Sequence, residues 1–324
     1  MCVSIVIERR QAGGRQRSGG TVTARTGISG MDPVLKKRLI TNADDFGWSR
    51  GITDGIVLAH QKGIVTSTTL MANQAASEYA LEQAKQWPEL GIGIHLRLCD
   101  GFPVLPPSEV RTLVNQEEKF YSIAELRHRL WRGQVRTAEI EAEFRAQIRW
   151  LKDRGVTPTH ADSHHHVHMH PFVARAFCRA LLAEGICRAR PAPLQCWPKN
   201  GSFAGVHAGP IYRRALVKSY LSVLQRTTFR SLRSPNYRLA PHPRYRERPE
   251  LLGDGWRAAI ENLAPGTYEL ECHPGLSEPG FSETDNWRDR RELETRLLTD
   301  PALRLLIEEH KIELICYSQM DESN

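Results

Sequence analysis

Apolar and polar positions along the chain fall into alternating strand-like and helix-like runs. Arg38-Leu39-Ile40-Thr41 reads as a strand, and Ser49 stands where it can cap a helix carrying Ile52, Ile56 and Val57 on one face. The stretch "VTSTTLMAN" (65–73) is β-rich and ends at polar Asn73; Tyr79, Leu81 and Ala84 then mark a helix running to Trp87-Pro88. In "GIGIHLRL" (91–98) strict alternation places His95 opposite Ile94 and Leu96, and Asp100-Gly101 stops the strand before a proline-rich loop. Residues 108–136 read as an insertion, after which Ile140, Phe144, Ile148 and Leu151 mark an amphipathic helix ending near Gly155.

The pattern continues past "THADSHHHVHMHP" (159–171), where Pro171 can start a helix through Phe172, Ala176 and Leu181 to Gly185. A short strand "TYELECHPG" (267–275) carries His273 at its end, a helical stretch spans about 284–309, and "IELICYS" (312–318) is the last strand. Strands alternating with helices favour a parallel sheet, and polar residues recurring at strand ends favour an α/β barrel in which those ends converge.

At 324 residues the chain is long enough for one large α/β domain, and no apolar run approaches a membrane span. The net charge of +7 invites a nucleic-acid reading, but the first thirty residues hold five arginines against one glutamate, more than half of that excess. That segment, rich in Gly, Arg and Ser, reads as a disordered or over-extended leader with Met31 as the true start. A second basic stretch mixes Tyr212, Tyr220, Phe229, Tyr237 and Tyr245 among arginines and reads as an insertion over about 196–250. Seven cysteines, with no C-x-x-C spacing, point to a reducing cytoplasm; Cys272 reads as a small buried hydrophobe.

The candidate chemistry sits at the predicted strand ends. Asp44 and Asp45 are adjacent in "NADDFG", His95 ends a strand, six of the thirteen histidines crowd into 160–170, and His273 ends another strand. Such a mixed Asp/His set suits one divalent cation, with positions left for water. Two neighbouring carboxylates can then divide the work, one ligating and one acting as base. Adjacent side chains on an extended backbone point opposite ways, so a turn at Phe46-Gly47 is expected to bring both to one pocket.

The segments "ITNADDFGWSRGI", "GIVTSTTLMAN", "GIGIHLRL" and "PTHADSHHHVHMHP", in this order, closely resemble the YdjC-like family of carbohydrate deacetylases, with "ECHPG" as a later anchor. The resemblance implies a distorted TIM-like β/α barrel forming a single catalytic domain over 31–324. It also implies removal of acetyl from an N-acetylated amino sugar with one divalent metal, Mg²⁺ or Zn²⁺. Carried over residue by residue, it makes Asp45, His95 and His165 metal ligands, Asp44 the base and His273 the donor to the leaving amine. Around that set, Asp162, His164, His168 and Arg190 are expected to support the ligands or touch substrate, although Asp162 also reads as a turn cap.

"DGFPVLPPSEV" and the basic aromatic stretch resemble hopanoid-associated members, so an N-acetylglucosaminyl glycolipid stands beside a soluble chitooligosaccharide as the expected substrate. No nucleic-acid partner and no transmembrane segment are expected, and a homo-oligomer is left open. The rival readings are a metal-dependent phosphoesterase on a similar barrel and a non-catalytic metal- or nucleic-acid-binding protein.

Overall fold

A computed structural model describes residues 36–192, 194–197, 211–241, 248–279 and 288–321. The expected leader lies outside the described residues, as do parts of 196–250. Among the described residues the strands β1 (Lys37–Phe46), β2 (Ser67–Leu70), β3 (Gly91–Leu96), β4 (Ala161–Ser163), β5 (Leu194–Trp197), β6 (Tyr237–Pro241) and β7 (Gly266–Cys272) lie in the order β4-β3-β2-β1-β7-β6-β5, and β8 (Ile312–Leu314) pairs with β1. Every pairing between these strands is parallel. All carboxyl ends therefore share one rim, the TIM-like half-barrel that the alternating pattern predicts.

The helices are α1 (Arg50–Lys62), α2 (Ser77–Gln86), α3 (Ile123–Trp131), α4 (Thr137–Lys152), α5 (Ala174–Ala183), α6 (Ile211–Arg226), α7 (Leu252–Glu261), α8 (Arg288–Leu298) and α9 (Pro301–Glu309). Ser49 does cap α1, its hydroxyl accepting the Ile52 amide at 3.2 Å, a contact worth about 1 kcal/mol. Beneath it Ile52, Ile56 and Val57 are buried. In α4 the predicted stripe Ile140, Phe144, Ile148 and Leu151 is wholly buried, each side chain contributing roughly 1.5–3 kcal/mol.

Boundaries differ where tertiary pairing decides. Strand β1 runs five residues past Thr41, because β7 pairs with it as far as Ala43 and β2 again at Phe46. Helix α5 starts at Ala174, since residues 164–169 form a 3₁₀ turn first. The stretch expected as a helix from 284 is described from Arg288 and splits at Asp300, whose carboxylate caps α9 ahead of Pro301. The region expected as an insertion at 108–136 holds a 3₁₀ turn and α3, and the described part of 196–250 includes α6 and a strand, β6, lying between β5 and β7.

Two features bring distant residues to the rim. Residues Arg188 to Arg190 run beside β4, with Ala189 bridged to Ala161 and Arg188 to Arg233, which carries Arg190 into the barrel. Buried Arg97 donates to the backbone carbonyls of Asn73 at 3.3 Å, Phe102 at 2.8 Å and Asp100, tying together the loops that follow β2 and β3.

Candidate active site

The two carboxylates at the end of β1 reach one pocket by a distortion inside the strand. Asp45 has φ +72, and the pairing with β2 shifts register between Ala43 and Phe46. This bulge cancels the alternation that would send Asp44 and Asp45 to opposite faces. Asp tolerates the left-handed conformation better than most residues, and Gly47 at φ +86 completes the turn. The device therefore lies one residue earlier than the expected Phe46-Gly47 turn.

Asp45 is buried, and its Oδ2 accepts from Arg291 Nη2 at 2.8 Å. Burial opposes its ionisation, but the Arg291 charge holds the carboxyl well below the usual range. Its other oxygen, Oδ1, is buried without a hydrogen-bond partner. Two ring nitrogens face that oxygen, His164 Nδ1 at 3.3 Å and His95 Nε2 at 3.4 Å. The far side of His95 is fixed, because its Nδ1 meets Asp162 Oδ1 at 2.6 Å. Burial works against a charge on His95, but the surrounding carboxylates, Asp162 first, raise it to about 9.

The ring of acids is balanced by few cations. Arg190, fully buried, binds Asp44 with both ends, at 2.7 and 2.5 Å, and also reaches Asp162 at 2.8 Å and Glu269 at 2.9 Å. Burial would push Asp44 up, but the Arg190 charge and hydrogen bonds hold it below its ordinary value. Glu269 goes the other way, pushed up to about 7 by burial despite Arg190. Glu271 Oε2 takes Arg238 Nη1 at 2.6 Å, and its Oε1 lies 3.3 Å from His166 Nε2. His273 Nε2 stands 3.7 Å from Asp44 Oδ2.

Behind Asp44 a second chain of contacts runs into the barrel. Asn42 Nδ2 donates to Asp44 Oδ1 at 3.0 Å, and His160 Nε2 meets Asn42 Oδ1 at 2.9 Å. The His160 ring stacks on Tyr317 at 3.8 Å, and burial keeps it neutral. Gly93 makes room for it: a Cβ there would lie 2.5 Å from His160 Cε1.

The structure brings Asp44, Asp45, His95, Asp162, Arg190 and His273 together. His165 does not join Asp45 and His95. Its backbone is left-handed at φ +53, its side chain is 42% exposed, and its Nε2 turns to Asp100 Oδ2 at 3.6 Å. The neighbour on the strand side, His164, takes that place. His168 is buried against Phe177, with its Nδ1 on Ser163 Oγ at 2.5 Å, and offers no face to a substrate.

Glu269, Glu271, Arg238 and Arg291 were not among the expected site residues. The two glutamates had a signal, since in "ELECH" they alternate in step with His273 on one strand face. The two arginines had none.

A donor set of one carboxylate and two imidazoles, within 4.8 Å of one another, fits a divalent cation. Asp45 Oδ1, with His164 Nδ1 and His95 Nε2 facing it, is the carboxylate oxygen of that set. The two groupings that include Asp44 spend their carboxylates on Arg190 or Arg238.

A parallel half-barrel whose strand ends gather acids and histidines around such a donor set is the architecture of a barrel hydrolase. The profile of the YdjC-like protein family matches residues 38–309. The chain is 32% identical to a carbohydrate deacetylase of Geobacillus stearothermophilus over 88% of its own length and 98% of that protein. It is also 32% identical to a carbohydrate deacetylase of Brevibacillus brevis, over 87% and 99%. A solved structure from Enterococcus faecalis V583, provisionally named a cellobiose-phosphate cleavage protein, superposes with a TM-score of 0.71 at 26% identity, covering 88% of this chain and 99% of that one. The chain belongs to the YdjC-like family, whose matched curated members are carbohydrate deacetylases, and it is an enzyme of that family. No helix among the described residues is long and apolar enough to cross a membrane.

Proposed function

We propose that the protein hydrolyses the N-acetyl group of an N-acetylated amino sugar, with Asp45, His95 and His164 holding one divalent cation, Mg²⁺ or Zn²⁺. The observation that carries this reading is the buried Asp45 Oδ1 facing two imidazole nitrogens, one residue away from a carboxylate that Arg190 keeps ionised. A cation held there supplies Lewis-acid polarisation of the acetyl carbonyl and acidifies a water.

The remaining work belongs to the chain. Asp162 fixes His95 through Nδ1, leaving Nε2 directed at the donor set. Asp44 accepts the proton of the attacking water. Its pairing with Arg190 keeps the carboxylate unprotonated and so able to accept that proton. His273, on the other side of Asp44 Oδ2, protonates the leaving amine. Trp48, half-buried at the site, has its ring edge-on to His164 at 5.3 Å and the Arg291 guanidinium 5.4 Å over it.

The family relation supports the sugar class. Within it, a soluble chitooligosaccharide and an N-acetylglucosaminyl glycolipid are the two candidates, and cytoplasmic action is part of the same reading. Acetate release by purified protein from N-acetylglucosamine oligomers, N-acetylglucosaminyl glycolipids and phosphorylated sugars, with bound metal measured in parallel, decides the matter. Phosphate release without acetate release would replace deacetylation by a phosphoesterase reading.

A further inference from the structure

His165, excluded from the Asp45 set, belongs to another group. Cys99 Sγ, a carboxylate oxygen of Asp100 and a ring nitrogen of His165 lie within 4.8 Å of one another, and the group shares no residue with Asp45, His95 and His164. Asp100 and His165 are close to half exposed, at 48% and 42%, while Cys99 is buried outside any disulfide, its thiol pushed well above the usual range by burial and by the neighbouring Asp100. The loop bearing Cys99 and Asp100 is held by Arg97 through the carbonyls of Asp100 and Phe102. We propose that Cys99, Asp100 and His165 form a second cation site at the rim of the pocket, suited to a borderline-soft divalent ion such as zinc.

The donor chemistry selects the ion. One sulfur, one nitrogen and one oxygen make a tetrahedral zinc set with the fourth position open to water. Magnesium requires near-octahedral oxygen ligation and is a poor fit. Zinc bonds of about 2.0–2.3 Å put tetrahedral donors roughly 3.3–3.8 Å apart. Reaching that range from the present spacing would require side-chain rotation of the half-exposed Asp100 and His165, with Cys99 fixed by its burial. On ligation the Cys99 S–H bond breaks, the sulfur keeps the electron pair to bind the cation, and the proton leaves to solvent.

His164 stands between the two sites. Its Nδ1 faces Asp45 and its Nε2 lies 3.9 Å from Asp100 Oδ2, so an ion at the rim would bind beside the imidazole that serves the inner set.

The test is a cobalt titration of the metal-free full chain, followed by absorption. The inner set contains no sulfur, so a thiolate-to-cobalt charge-transfer band reports the rim site alone. The expected result is two binding steps, one of them with that band. Cys99→Ser should abolish the band, and His165→Ala should weaken that step by about tenfold or more, both leaving the sulfur-free step in place.

Absence of the band in the unaltered protein, or its survival in Cys99→Ser, overturns the proposal. Should Cys99→Ser fail to fold, the exposed variants Asp100→Ala and His165→Ala carry the test, and an unchanged sulfur-linked step in both overturns it. A band that depends on Cys99 without a sulfur-free step would uphold the rim site while removing the inner metal reading.

Discussion

Arg190 grips Asp44 end-on, Nη1 to Oδ2 at 2.7 Å and Nη2 to Oδ1 at 2.5 Å, with both side chains buried. A bidentate guanidinium is the strongest pairing available to a carboxylate inside a protein. It leaves Asp44 ionised and fixed, whereas Asp45 keeps one oxygen uncommitted. The two adjacent acids differ by what holds them.

That difference predicts different failures. Asp45→Asn should lose bound metal. Asp44→Asn should keep it and turn over at least about a hundredfold more slowly, the usual cost of removing a general base. Metal content and turnover measured on the same preparations check both; equal metal loss would make the two acids joint ligands.

Neighbouring histidines should separate as sharply. His164→Ala is expected to lower occupancy of the inner metal and to abolish activity, while His165→Ala retains the inner metal and most of the turnover. Magnesium or zinc content per chain, measured for each variant, reverses the assignment if His165→Ala is the one that loses it.

Arg190 also supports the fold, because Asp44, Asp162 and Glu269 all lean on it. Arg190→Met should destabilise the protein by about 3–5 kcal/mol, since it leaves buried carboxylates uncompensated. Denaturant unfolding measures the loss. Arg190→Lys should recover part of it and little of the activity, because an ammonium cannot pair with Asp44 at two points.

How much of this was legible depends on the kind of signal. Strand β3 was readable because strict alternation in "GIGIHLRL" fixes which face His95 takes, and the α4 stripe because its period is helical. The choice between His164 and His165 was not, since His165 and His166 take left-handed backbones, at φ +53 each, and the count by alternation breaks there. Arg190 was expected beside the site, but its two-point hold on Asp44 had no local mark in a chain with 44 Lys and Arg residues. Its role depends on a bridge between Ala161 and Ala189, a contact made by folding.

Away from the site, Glu184 gathers Arg149 at 2.9 Å, Lys152 at 3.0 Å and Arg145 at 3.2 Å, linking α4 to the end of α5. Burial opposes its ionisation slightly, and hydrogen bonds from Lys152 and Arg145 lower its pKa. A depressed carboxyl stabilises the fold above its unfolded pKa and loses that contribution as pH falls through the folded value. Glu184→Gln should therefore cost on the order of 1 kcal/mol at neutral pH, and the gap in melting temperature should close in acid below the ordinary carboxylate range. A gap independent of pH would assign the effect to packing.

The bulge at Asp45 makes the proposed cation ligand also the residue on which the strand's course turns. Replacement by a β-branched residue such as Val or Thr at φ +72 must either strain the backbone or relax the bulge. Relaxation would restore the alternation and turn Asp44 or its neighbour out of the pocket. On the proposed ligand set, substitutions at Asp45 therefore change the course of the chain as well as the donor, whereas His95 sits in regular strand where only the donor changes.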